Sequence, residues 1–215
     1  MRFDWNENSC LFSGTAMGEP IFSHENHGED FFRFDLRVER LSGTADELPV
    51  LVSRSQLERT PVRAGDSLRM AGEIRSFNNR SGVGARLVLT IFPHTLEGGD
   101  GTSENQVRLA GVLCRAPIFR RTPLGREICD LILAVNRRYG RADYLPCIAW
   151  GAVARASAGA SVGTPLALEG RFQSRDYIKT LGEQQVRRRA YEVSVMTMES
   201  LRDRLMRGGE EPGIF

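Results

Sequence analysis

The sequence predicts an all-β chain made of two similar halves, each a small five-stranded Greek-key barrel with one short helix. Three observations predict it: residues that recur in order at a nearly fixed offset, apolar residues alternating at strand period, and a Gly-rich break between the halves. The recurrence comes first. Asn8, Gly14, Pro20, Leu36, Val38, Arg40 and Pro49 match Asn105, Gly111, Pro117, Leu133, Val135, Arg137 and Pro146 at an offset of 97. Gly65, Leu68, Gly72 and Ser76 then match Gly163, Leu166, Gly170 and Ser174 at 98. An ordered series that holds its spacing this long marks a duplicated unit.

Within the second half, alternation runs through Val107-Arg108-Leu109 and Leu131-Ile132-Leu133-Ala134-Val135. It continues in Cys147-Ile148-Ala149-Trp150, Leu166-Ala167-Leu168 and Tyr191-Glu192-Val193-Ser194-Val195, which read as strands. Thr122-Pro123-Leu124-Gly125 reads as a turn between strands, and residues 151–160, rich in Ala and Ser, as a short helix. Five strands with a helix between the third and fourth fit a barrel of the OB type. The expected organisation is an OB-type domain over 1–96, a linker over 97–104 with Gly98, Gly99 and Gly101, and a second OB domain over 105–197. A tail follows over 198–215, with a helix expected from Met198 to Met206.

The chain has 215 residues, 41% hydrophobic and 26% charged, as in a soluble globular protein. It has no apolar run of the roughly 18 residues needed to span a bilayer, and its N-terminus lacks an apolar signal region. A cytoplasmic location, associated with the nucleoid, is therefore expected. Cys10, Cys114, Cys129 and Cys147 form no Cys-x-x-Cys pair and read as small core hydrophobes. Charge divides unevenly. Residues 1–96 carry 11 Arg against 13 acids, net −2, while 105–195 carry 15 basic residues against 7 acids, net +8. A basic second half points to a polyanion, the alternative being a solvated basic face.

NQVRLAGVLCRAP, RTPLGREICDLILAVNRR, ADYLPCIAWG, GTPLALEGRFQSRDY and AYEVSV occur in that order within 105–195. They resemble the bacterial single-stranded DNA-binding proteins, and the CRAP and ICD segments are also similar to primosomal replication protein N. Residues 8–92 look like a diverged second copy. The resemblance implies OB barrels that assemble in fours, hence a homodimer of this two-barrel chain. It also implies sequence-independent binding of single-stranded DNA in replication, recombination or repair.

Single strands are held by aromatic platforms along a basic groove. The resemblance places the platforms at Tyr139, Tyr144, Trp150 and Tyr177, with Arg137, Arg138, Arg141, Arg171 and Arg175 around them. Barrel packing is the alternative for each ring. Through the repeat these rings map to Ser42, Glu47, Ser53 and Asn79, none aromatic, so the first copy is expected to bind DNA weakly or not at all. Phe77, two residues from Asn79, is the one candidate substitute. In the family, acidic residues followed by an apolar residue, Pro and a terminal Phe recruit partner enzymes. Here Glu210, Glu211, Ile214 and Phe215 match in kind, though Pro212 precedes Gly213, so Ile214 and Phe215 are expected to dock replication or repair proteins.

His24-x-x-His27 is set aside as a metal site, since it falls where the repeat predicts a loop. No nucleophile–base pair, Walker loop or Gly-rich fingerprint is present, so neither an enzyme nor a cofactor is expected. Two other functions stay open: a primosome-type protein-interaction scaffold with weak nucleic-acid binding, and a groove for RNA.

Overall fold

In the first half of the computed structural model the chain runs through β1 (Asn8–Ala16), β2 (Ile21–Asn26), β3 (Glu29–Glu39), β4 (Ala45–Ser53), α1 (Arg54–Arg59), β5 (Ser67–Asn78) and β6 (Leu87–Gly98). The second half repeats that order as β7 (Glu104–Leu113), β8 (Ile118–Arg121), β9 (Glu127–Asn136), β10 (Ala142–Trp150), α2 (Gly151–Ala158), β11 (Pro165–Leu181) and β12 (Gln184–Ser200). The structure describes residues 7–79, 85–137, 140–181 and 184–200.

Pairing closes each set of strands on itself. β1 pairs antiparallel with β5, from Cys10↔Gly72 to Thr15↔Ser67, and its far end pairs with β3 at Ala16↔Leu36. β3 pairs with β4, β4 runs parallel to β6 at Val50↔Ile91, and β6 returns to β5. The second half has the same order: β7 with β9, β9 with β10, β10 parallel to β12, then β11 and back to β7. This is the all-β, OB-type topology expected from the strand pattern.

Each half also carries a strand that the sequence reading missed. β2 and β8 pair on the outer edges of β3 and β9. Their residues are all exposed, so they lack the alternation that marks a half-buried strand. His24 therefore lies in a strand and not in the expected loop, and the turn falls at His27–Gly28, both at positive φ. The tail expectation also changes: Met198 to Ser200 belong to β12, while the rest of the expected helix lies outside the described residues.

The chain divides into two compact units, Ser9–Val107 with Phe172–Glu192, and Arg108–Arg171 with the chain from Val193. The first is centred on Phe12, Leu36, Leu48, Met70 and Ile91, with Phe172 edge-on to Phe12 at 6.4 Å between ring centres. The second is centred on Leu109, Leu113, Leu133 and Leu145. Three of the four cysteines are buried, as expected. Cys114 is a correction: it follows the end of β7, is exposed, and turns its thiol to the Ile132 carbonyl at 3.3 Å.

Small barrels bring strands into near contact where they cross. A Cβ on Gly111 would stand 2.3 Å from the Ala134 carbonyl oxygen, and one on Gly14 2.3 Å from that of Arg37. The obstacle is backbone in both places, so no side chain can move aside. Gly111→Ala is expected to destabilise the protein by about 2–4 kcal/mol in urea unfolding. Gly159→Ala, with open space around it, is expected to change stability by less than about 0.5 kcal/mol.

Candidate nucleic-acid interface

β10 carries two of the expected rings. Its pattern turns Asp143, Leu145, Cys147 and Ala149 inward and leaves Tyr144 and Trp150 outward, 49% and 38% exposed. Six residues of strand separate them by about 20 Å. Ile148, between them on the same side, is buried, so the two exposed rings stand apart on the strand.

Trp150 is also the N-cap residue of α2, with extended backbone and no side-chain cap hydrogen bond. Its first-half counterpart, Ser53, caps α1 fully: its hydroxyl accepts from the Gln56 N–H, and the Gln56 side chain accepts from the Ser53 N–H. A Ser at such a position is worth about 1 kcal/mol over a residue that cannot cap. The second half gives up that cap and presents an indole to solvent. Broken local rules of this kind gather at functional sites.

The other expected positions fall in different places. Tyr177, on the outer part of β11, is 37% exposed, with the Arg175 guanidinium 5.9 Å from its ring centre. Arg175 also reaches Glu192 at 3.7 Å. Arg141 and Arg171 are exposed. Tyr139, Arg138, Ile214 and Phe215 lie outside the described residues.

Arg137 needs a different reading. Its guanidinium makes a two-pronged ion pair with Asp143, which is fully buried. Arg40 grips Asp46 in the same way, with Nε at 2.7 Å, one repeat earlier. The pair is therefore part of the fold in both halves, which gives Arg137 a structural role. The signal was in the sequence, since Asp46 and Asp143 also stand 97 apart.

Glu47, the counterpart of Tyr144, also has a structural explanation. It accepts an ion pair from Arg189, whose Nε lies 2.8 Å from Asp176. Asp176 takes Arg187 as well, at 2.6 Å. Beside it, the Ser174 N–H donates to Asp46 at 2.8 Å and the Ser174 hydroxyl accepts from the Glu47 N–H at 3.3 Å. The place of a ring in one half is filled in the other by an acid that clasps the β11–β12 hairpin.

Residues 104–201 match the model of the single-strand binding protein family. The single-stranded DNA-binding protein of Halalkalibacterium halodurans is 33% identical over 116 residues, covering 51% of this chain and 66% of that protein. Single-stranded DNA-binding protein B of Bacillus subtilis is 35% identical over 80 residues, covering 34% of this chain and 71% of that protein. The chain belongs to the single-strand binding protein family. It spans about half to two thirds of the length of curated relatives such as those of H. halodurans and Listeria innocua. The crystal structure of the Thermus aquaticus single-stranded DNA binding protein superposes over 97% of this chain and 96% of that one, with a TM-score of 0.71 at 20% identity, a likeness of fold.

Among the described residues no group of three or more His, Cys, Asp or Glu could hold a metal ion. His24 instead stacks on Phe31. The structural reading of Arg137 has a direct consequence. Arg137→Ala leaves the Asp143 carboxylate buried and unpaired, and is expected to cost about 3–5 kcal/mol of unfolding free energy. A phosphate contact alone would leave stability unchanged.

Proposed function

We propose that the protein binds single-stranded DNA without sequence preference, stacking bases on Tyr144 and Trp150 and meeting phosphates with arginine. The observation that carries this reading is Trp150, an exposed indole standing where the equivalent helix keeps a capping serine. Family membership supports the ligand class. Arg141 and Arg171 supply charge, and Tyr177 beneath Arg175 forms a further platform on the hairpin. Every base has a π-face, so stacking discriminates little between sequences. Such binding serves replication, recombination or repair by a non-catalytic route, in a cytoplasmic homodimer.

Tyr144→Ala and Trp150→Ala are each expected to weaken oligo-dT binding by about 1–3 kcal/mol. Fluorescence anisotropy of labelled oligo-dT checks this, and unchanged affinity in both variants overturns the proposal.

The Asp176 clasp sets the salt response. Hydrogen bonds from Arg189 and Arg187 hold its carboxyl down at about 2, below the unfolded value of about 3.9. Its contribution is thus fully present above roughly pH 4 and is lost only as pH falls through about 2, so binding between pH 5 and 8 is insensitive to this group. Asp176→Asn removes the competing charge. Oligo-dT affinity at low salt is expected to rise, and the log–log salt slope to steepen by about 0.7 for each phosphate gained. A slope equal to wild type shows that Arg187 and Arg189 meet no phosphate.

A further inference from the structure

The first half lacks rings at Glu47 and Ser53, yet it carries aromatic residues where the second half has none. In the β3–β4 ladder Phe31 lies directly opposite Ser53. In the β9–β10 ladder Ile128, buried, lies opposite Trp150. The parallel pairs Val50↔Ile91 and Cys147↔Val193 make Phe92 the counterpart of Ser194 in the same way. Aromatic surface has thus been exchanged: rings on β10 in one half, rings on β3 and β6 in the other.

The first-half rings form a connected set. Phe31 and Phe92 are 6.2 Å apart, and His24 lies parallel over Phe31 at 5.2 Å with 14° between the planes. The Ser23 hydroxyl, 3.0 Å from the His24 Nδ1, steadies the imidazole. The Arg75 guanidinium lies 5.6 Å from the Phe92 ring centre and that of Arg54 5.3 Å from Phe32. Both arginines are already matched, Arg75 to Glu73 at 2.5 Å and Arg54 to Asp30 at 2.6 Å.

We propose that Phe31, Phe92 and His24 form a second platform for unpaired bases, on the first half of the chain. The inference rests on the single-strand reading above. His24 is exposed and already stacked, so a base laid on its outer face continues a stack that Phe31 begins. Because Arg54 and Arg75 are paired with acids, this platform works by stacking, with few new phosphate contacts from those two. Binding here responds less to salt than binding on β10.

The test uses the full chain and oligo-dT carrying 5-iododeoxyuridine. Photocrosslinks are expected in peptides holding His24 or Phe31 as well as in those holding Tyr144 or Trp150. In a Tyr144→Ala/Trp150→Ala background, adding His24→Ala and Phe31→Ile is expected to reduce residual affinity about tenfold. Isoleucine is the second-half residue at that place, so the fold tolerates it; His24→Ala alone, at an exposed position, repeats the test without touching packing. Crosslinks confined to Tyr144, Trp150 and Tyr177, with residual affinity unchanged in the variants, overturn the inference and leave this surface to a protein partner. Failure of wild-type protein to bind oligo-dT at all overturns the single-strand reading instead.

Discussion

A ring of five strands is so narrow that its members must cross almost touching, and the rest of the structure depends on how those crossings are made. In each half two glycines occupy them. Gly14 and Gly111 pass beneath a carbonyl of the second ring strand, and Gly72 and Gly170 beneath one of the last, leaving no room for a methyl group. Once these crossings are fixed, the hydrogen-bond register around the ring is fixed with them. Register decides which residues of β4 and β10 face outward. The outward positions of these strands are therefore set by glycines.

The same crossings explain why so much of the fold was readable from one sequence. Gly14, Gly72, Gly111 and Gly170 recur in the repeat because nothing else fits there. Gly65 and Gly163 hold matching turns at φ 90° and 87°. The change of offset from 97 to 98 falls between Ser53 and Gly65, where α1 has 6 residues and α2 has 8. The hidden parts had other causes. β2 and β8 are exposed on both faces and carry no period. The Arg137–Asp143 pair was legible only as a repeated spacing, and its burial appears in the structure alone. The Phe31–Phe92 surface was invisible to comparison by position, since its rings occupy different strands from those they replace.

Charge follows the exchange of rings. The second half is basic and leaves Tyr144 and Trp150 outward. The first half, at net −2, turns Asp46 and Glu47 toward the hairpin formed by Phe172–Glu192. Part of the interior is kept between the halves. Leu36 and Leu133, Val38 and Val135, and Leu68 and Leu166 are buried in both halves, and the buried Asp–Arg pair is kept in both. Outward positions diverge as well, as at Glu47 and Tyr144 or Ser53 and Trp150, where a substitution changes what the surface can hold without disturbing the crossings beneath.

The membership of Phe172–Glu192 in the unit built on Ser9–Val107 bears on how the chain comes to be folded. Phe172, fully buried against Phe12, is synthesised long after the strands it covers. A polypeptide emerging from the ribosome cannot complete its leading half when the Gly-rich break at 98–101 appears; it must wait until the hairpin has been translated. The break is a seam in sequence only, since the unit that contains it is completed by Phe172.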